Sequence, residues 1–267
     1  MEKKNNMSIL ILLFVACAMI IAIFGGFYLY KIITKKDINR VNNKDITLNE
    51  VQILMNKYKY YDNCGINRYI ESLEDDSNGN VNQKFAVVLN NVKEDRKFHS
   101  CQEAFDSGYL DSQGLTTCKQ VAEMGWPELI GGESYIKSYS YDKLIDVKKE
   151  LFGSSETLTK DKYYAHGPSK STAGDYIYST SKNVFTLIGA SAYGQTCGGE
   201  LLSGAIERYD LDNDKLNVYL KEIEKDVIAH EIDVNTKQYT FKWDNDHYYL
   251  VVVKLLGTEI YEIKDAA

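Results

Sequence analysis

Two prolines, two tryptophans and four histidines are all that a chain of 267 residues holds of these types. Lysine and arginine form no concentrated run beyond the flank of one apolar segment, and the formal net charge is −7. Neutralising phosphates needs a concentrated basic face, so the composition argues against a nucleic-acid partner. No C-x-x-C pair occurs among the five cysteines, which argues against the zinc-ribbon and zinc-finger classes. G-x-S-x-G, G-x-G-x-x-G and P-loop patterns are missing as well. Neither a cofactor nor a resident metal is therefore expected. What is present is an ordinary globular balance, 44% hydrophobic and 26% charged. Twenty-one tyrosines, a residue suited to strands and half-exposed surfaces, lean the body toward sheet.

The one long apolar run extends from Met7 to Tyr30 without a charge. As a helix it would cover ~36 Å at ~1.5 Å per residue, enough for a bilayer core. Phe27, Tyr28 and Tyr30 stand at its end, where aromatic rings favour the interface. The run is longer than a usual signal-peptide core and lacks a clear small-x-small cleavage site. It also continues well past Cys17, the residue a lipoprotein reading would use. The expected organisation is a basic leader over 1–6, a transmembrane anchor over 7–30, a stalk over 31–46 and one soluble domain over 47–267.

Topology has two readings. Lys31, Lys35, Lys36, Arg40 and Lys44 follow the span against Lys3 and Lys4 before it, which taken literally would keep the domain in the cytoplasm. Long domains, however, translocate largely regardless of charge. Four soluble cysteines, Cys64, Cys101, Cys118 and Cys197, fit disulfides in an oxidising space. The expectation is a single-pass membrane protein with an extracytoplasmic domain. Of the three possible pairings, Cys64 with Cys101 and Cys118 with Cys197 is the one favoured.

Within the domain, Thr47 and Glu50 have capping-box spacing, followed by Leu48, Val51, Met55 and Tyr58 at helical spacing. Residues 81–92 carry Phe85, Val88, Leu89 and Val92 on one face. Residues 97–101 read as a short strand leading to Cys101, and residues 102–132 as irregular. Leu144, Val147 and Leu151 align in a third helix that Gly153 would cap. From Tyr163 onward the pattern becomes short β runs with hairpin turns. Helices first and an antiparallel meander afterwards predict an α+β fold, NTF2-like or cystatin-like in style.

"YDLDND", from Tyr209, opens like a calcium loop, but an EF-hand starting at Asp210 needs glycine sixth and glutamate twelfth. Lys215 and Lys221 stand there instead. "DND" recurs at Asp244 to Asp246, again between two β runs, so both stretches are predicted to be matched hairpin turns.

Two constellations bear on chemistry. His99 lies near Cys101, but the cysteine separations match no zinc site. Thr196-Cys197, with His166 upstream and Arg208 downstream, resembles the order found in sortases, membrane-anchored β-barrel transpeptidases. That resemblance would make Cys197 a nucleophile and Arg208 a holder of developing negative charge. The chain departs from the pattern at Gly194 and Gln195, in the closeness of His166, and in carrying three further soluble cysteines.

The anchor, the early "NCG", "YDKLIDVKKELFG" and the "YTFKWDNDHYYLVVVK" hairpin together resemble uncharacterised signal-anchored or lipoprotein-type extracytoplasmic domains of Gram-positive bacteria. The resemblance covers scattered parts of 47–264 and implies location and fold, with no activity attached. The functional expectation is a non-enzymatic binding or structural module of the cell envelope, with a protein or glycan partner. A cysteine transpeptidase using Cys197 is the alternative.

Overall fold

A computed structural model describes residues 46–62, 66–74, 82–123, 136–166, 173–189, 199–212, 214–226, 228–244 and 246–262. The chain divides into the units Met1–Arg40 and Val41–Ala267. The expected leader, anchor and most of the stalk lie outside the described residues. No helix among the described residues is long and apolar enough to cross a membrane.

The expectation of an α+β fold, with helices packed on a C-terminal meander, is overturned. Strand makes up 49% of the described residues and helix 26%, and the strands form three antiparallel sheets. The unanticipated strands are short: β1 (Lys59–Tyr61), β2 (Asn67–Tyr69) and β4 (Ile136–Ser140), whereas β3 (Arg96–Phe98) overlaps the short strand expected before Cys101. Runs of three to five residues are too brief for alternation to register. Their partners can also be distant in sequence, as when β4 pairs with β7 (Val184–Gly189).

Five helices accompany the sheets among the described residues. Helix α1 (Leu48–Asn56) starts at the predicted capping box, with Thr47 and Glu50 bonded reciprocally. Helix α2 (Gln83–Asn90) buries Phe85, Val88 and Leu89 as its pattern implied. Helices α3 (Cys101–Asp106) and α4 (Ser112–Glu123) occupy the stretch expected to be irregular. Helix α5 (Tyr141–Phe152) ends at Gly153, whose φ of 109° is one that L side chains rarely adopt. A Cβ there would also meet the Tyr249 ring at 2.9 Å, so conformation and close approach both require glycine.

A five-stranded sheet has the order β3-β4-β7-β6-β5, with β5 at Tyr163–His166 and β6 at Ala173–Ser179. Both of its faces are covered. On one, Phe85 of α2 stacks on Tyr163 at 4.4 Å and meets Tyr176 and Phe185 edge-on. On the other, Phe98, Ile136 and Ile188 form a second core with Ala104 and Leu110 of the α3–α4 region. The Cys101–Cys118 disulfide sits in that second core and joins α3 to α4. This corrects the favoured pairing of Cys101 with Cys64 and Cys118 with Cys197. The two cysteines stand on separate short helices, α3 and α4, whose packing against each other is not visible in a stretch that reads as irregular. Cys64 and Cys197 lie outside the described residues.

The four-stranded sheet is a meander of β8 (Gly199–Asp212), β9 (Lys215–Asp226), β10 (Glu231–Asp244) and β11 (His247–Glu262). Asp212 pairs with Lys215 and Asp244 with His247, so the two "DND" stretches are hairpin turns. Tyr58, just after α1, joins this sheet to the helices. Its ring meets Phe152 and Phe241, and its hydroxyl donates to the Leu151 carbonyl at 2.8 Å.

Candidate functional site

Register places the inward side chains of the four-stranded sheet in rows, and the rows change character along the strands. Leu211, Leu216, Phe241 and Leu250 form the first row, followed by Tyr209, Val218, Tyr239 and Val253. Most of these are buried against the body. The next row holds Ile206, Leu220, Lys237 and Leu255. Beyond it the inward positions turn acidic: Glu222 beside Asn235, Glu224 opposite Asp233, and last Asp226, Glu231 and Glu262 side by side. From Leu216 to Asp226 this change takes about 33 Å, at about 3.3 Å per residue.

Where the apolar rows give way, the β1–β2 hairpin closes over the sheet with a cluster of charges. Arg68 lies 2.8 Å from Asp62, 3.1 Å from Glu224 and 3.8 Å from Glu71. The Lys237 ammonium donates to Glu71 at 2.5 Å and to Glu222. Carboxylate oxygens of Glu71, Glu222 and Glu224 come within 4.8 Å of one another, a set that in other surroundings could hold a metal ion. Here Lys237 and Arg68 already supply positive charge among them, and an added cation would have to displace the Lys237 ammonium. The cluster therefore reads as a clamp that fastens hairpin to sheet.

Burial sets the proton balance of the clamp. Glu222 is fully buried, which pushes its carboxyl above the usual range despite the opposing pull of Lys237. For Lys237, burial works against the charged form, but Glu222 and Glu71 outweigh it and raise its pKa. One ammonium is thus shared by two carboxylates. Tyr239 is buried beside them, and desolvation together with the Glu222 and Glu71 charges holds its proton on. Its hydroxyl and Glu222 Oε1 have no hydrogen-bond partner among the described residues.

A cleft of about 290 Å³ opens beside the clamp, bounded by Arg68, Glu71, Glu224, Asn235, Lys237 and the apolar pair Val253 and Leu255. Past the cleft the sheet continues with large apolar side chains in solvent. Leu202, Ile228, Leu256, Ile260 and Tyr261 are five of the ten exposed large apolar residues among the described ones, and all belong to this end.

No family model, curated protein or solved structure matches the chain.

The residues predicted for catalysis are distributed differently. Arg208 lies on β8, its guanidinium 3.5 Å from the centre of the Tyr219 ring, with Asp210 at 3.8 Å. His166 ends β5 in the other large sheet, and Cys197 lies outside the described residues. The structure brings together instead Arg68, Glu71, Glu222, Glu224 and Lys237, none of which the motif reading singled out. A signal was available: Glu222 and Glu224 continue the alternation of Leu216, Val218 and Leu220, so two carboxylates occupy inward-facing phase. Lys237 likewise shares the phase of Tyr239 and Phe241.

Proposed function

We propose that this chain is a non-enzymatic binding module of the cell envelope, held at the membrane by residues 7–30 with its domain outside the cytoplasm. The observation that carries the binding reading is the four-stranded sheet running on past the body with Leu256, Ile260 and Tyr261 in solvent. Ile260 shares the phase of Asp233 and Tyr261 that of Ile232, so both faces of this end carry large apolar side chains in solvent. Exposed apolar surface beyond the ordinary marks interaction sites. The Cys101–Cys118 disulfide supports an oxidising location, because such bonds persist outside the reducing cytosol. The clamp supports a rigid presentation, since it ties the hairpin to the sheet just where the projecting end begins.

Location is tested with an Ile228→Cys variant, placed in an exposed turn. A membrane-impermeant maleimide is expected to label it in intact cells, and removal of residues 7–30 is expected to release the domain from the membrane fraction. Labelling of Ile228→Cys only after lysis would place the domain inside and end this reading.

A further inference from the structure

Beyond the Lys237 row, the inward face of the sheet holds Asp226, Glu231, Asp233 and Glu262 and no basic side chain of its own. None of these four carboxylates has an ion-pair partner among the described residues, although Asp226 Oδ1 accepts from the Ile228 and Ala229 amides of the turn, both at 2.8 Å. The pairing register sets them against one another: Glu231 stands directly opposite both Asp226 and Glu262, and Asp233 opposite Glu224. Like charges directly opposite in neighbouring strands are destabilising, so this arrangement costs folding free energy in the isolated chain. Two buried oxygens on the same face, Glu222 Oε1 and Asp233 Oδ1, lack any hydrogen-bond partner among the described residues. Buried polar groups without a partner in the protein are the exception in folded proteins.

The same face is not uniformly polar. Leu201 and Ile260 flank the Glu224–Asp233 row, and Leu255 stands two rows before it, with the Glu222–Asn235 row between. Carboxylates interleaved with aliphatic side chains suit long cationic side chains, which lay a methylene stem along apolar surface and present charge at the tip. A bare ion would use the carboxylates and leave Ile260 and Leu255 in water. An acidic or neutral partner would leave the opposed carboxylates uncompensated. Strand addition to the β11 edge is less suited, because its pairing with β10 is interrupted by bulges around Val251 and Leu256, and bulges blunt an edge against pairing.

We infer that the inward face of the projecting sheet is a docking surface for a lysine- or arginine-rich polypeptide segment with aliphatic residues between the charges. This names the partner chemistry for the binding module proposed above and rests on that reading. Electrostatic complementarity of this kind would speed encounter and weaken with salt.

The test uses the full chain in zwitterionic lipid nanodiscs, with empty nanodiscs subtracted. The probes are fluorescent nonapeptides alternating Lys with Leu or Glu with Leu. The wild type is expected to bind the Lys–Leu peptide at least tenfold more tightly than the Glu–Leu peptide, with affinity falling as salt rises. Glu231→Lys/Glu262→Lys is expected to lose that preference, and Glu231→Gln/Glu262→Gln to fall between; a melting temperature no lower than that of the wild type shows that each variant is folded. Equal binding by wild type and Glu231→Lys/Glu262→Lys would overturn the inference. So would calcium alone blocking peptide binding at micromolar concentration, which would assign the face to an ion. A photo-crosslinking residue at Ile260, in native membranes, separates the two levels. An adduct with a non-basic protein or a second copy would overturn the basic partner and leave the binding module standing, whereas no adduct would count against both.

Discussion

The two large sheets of this protein use nearly opposite strategies. The five-stranded sheet is built of short strands, four to seven residues apart from its β3 edge, and is enclosed on both faces. Phe185 at its centre touches Phe85, Tyr141, Tyr163 and Tyr178. The four-stranded sheet has strands of 12 to 16 residues, and its inward face is covered along only part of their length. Burial stabilises the first sheet throughout. In the second it stabilises the rows near Phe241 and Leu216, while the remainder depends on backbone pairing and the clamp at Lys237. The difference teaches that length in a strand need not mean more core. Here the extra length carries charge and apolar side chains into solvent.

The sharpest way to break the comparison is to remove core from the enclosed sheet. Phe185→Ala is expected to lose about 3–5 kcal/mol of unfolding free energy, read by denaturant titration, because a buried aromatic leaves a cavity between two covered layers. Lys237→Met is expected to be comparably costly, about 3–5 kcal/mol, since it strands the buried Glu222 carboxylate. Adding Glu222→Leu to Lys237→Met is expected to recover most of that loss. A double variant as unstable as the single one would show that the clamp is not the source. Cys101→Ser/Cys118→Ser opens a link across 17 residues and is expected to cost about 3 kcal/mol. That loss falls on the enclosed sheet, whose second face the two short helices cover.

A smaller effect is set by pH. Glu222 titrates above the ordinary carboxyl value of 4.5 in the fold, so the folded chain binds this proton more tightly than the unfolded chain. Its contribution is present at pH below 4.5 and is lost as pH rises through the raised value. The stability of the wild type relative to Glu222→Gln is therefore expected to fall across that window and then level off. A difference that stays flat, or one that grows with pH, would refute the assignment. The smallest change is expected at the projecting end. Ile260→Ser, in a side chain already 61% exposed, should alter stability by no more than about 0.5 kcal/mol. A large loss there would show that the projecting end contributes to the core after all.

Legibility in the sequence followed the range of the interactions. The capping box at Thr47, the apolar stripe of α5 with Gly153 behind it, and the two "DND" turns depend on residues within a few positions of one another, and all three are found as read. The short strands β1, β2 and β4 and the helices α3 and α4 escaped because each is stabilised by partners outside its own segment. The clamp escaped for the same reason: Lys237 meets Glu71 across 166 residues, and Arg68 meets Glu224 across 156. Inward phase of Glu222 and Glu224 hinted at buried charge, but which cation met them was not readable.

By itself, then, the amino-acid order determined the local grammar of this protein. It set where helices begin and end, where hairpins turn, and which strand positions share a face, because backbone sterics and nearest-neighbour hydrogen bonds act over a few residues. Only the tertiary structure decided which face was covered. Alternation makes Leu216, Val218, Leu220, Glu222 and Glu224 one continuous row, yet burial against the body ends partway along it, and the cost or benefit of each side chain follows from what lies opposite. The same inward phase is hydrophobic core at Leu216 and an acidic surface at Asp226, and only the position of the hairpin over the sheet separates the two.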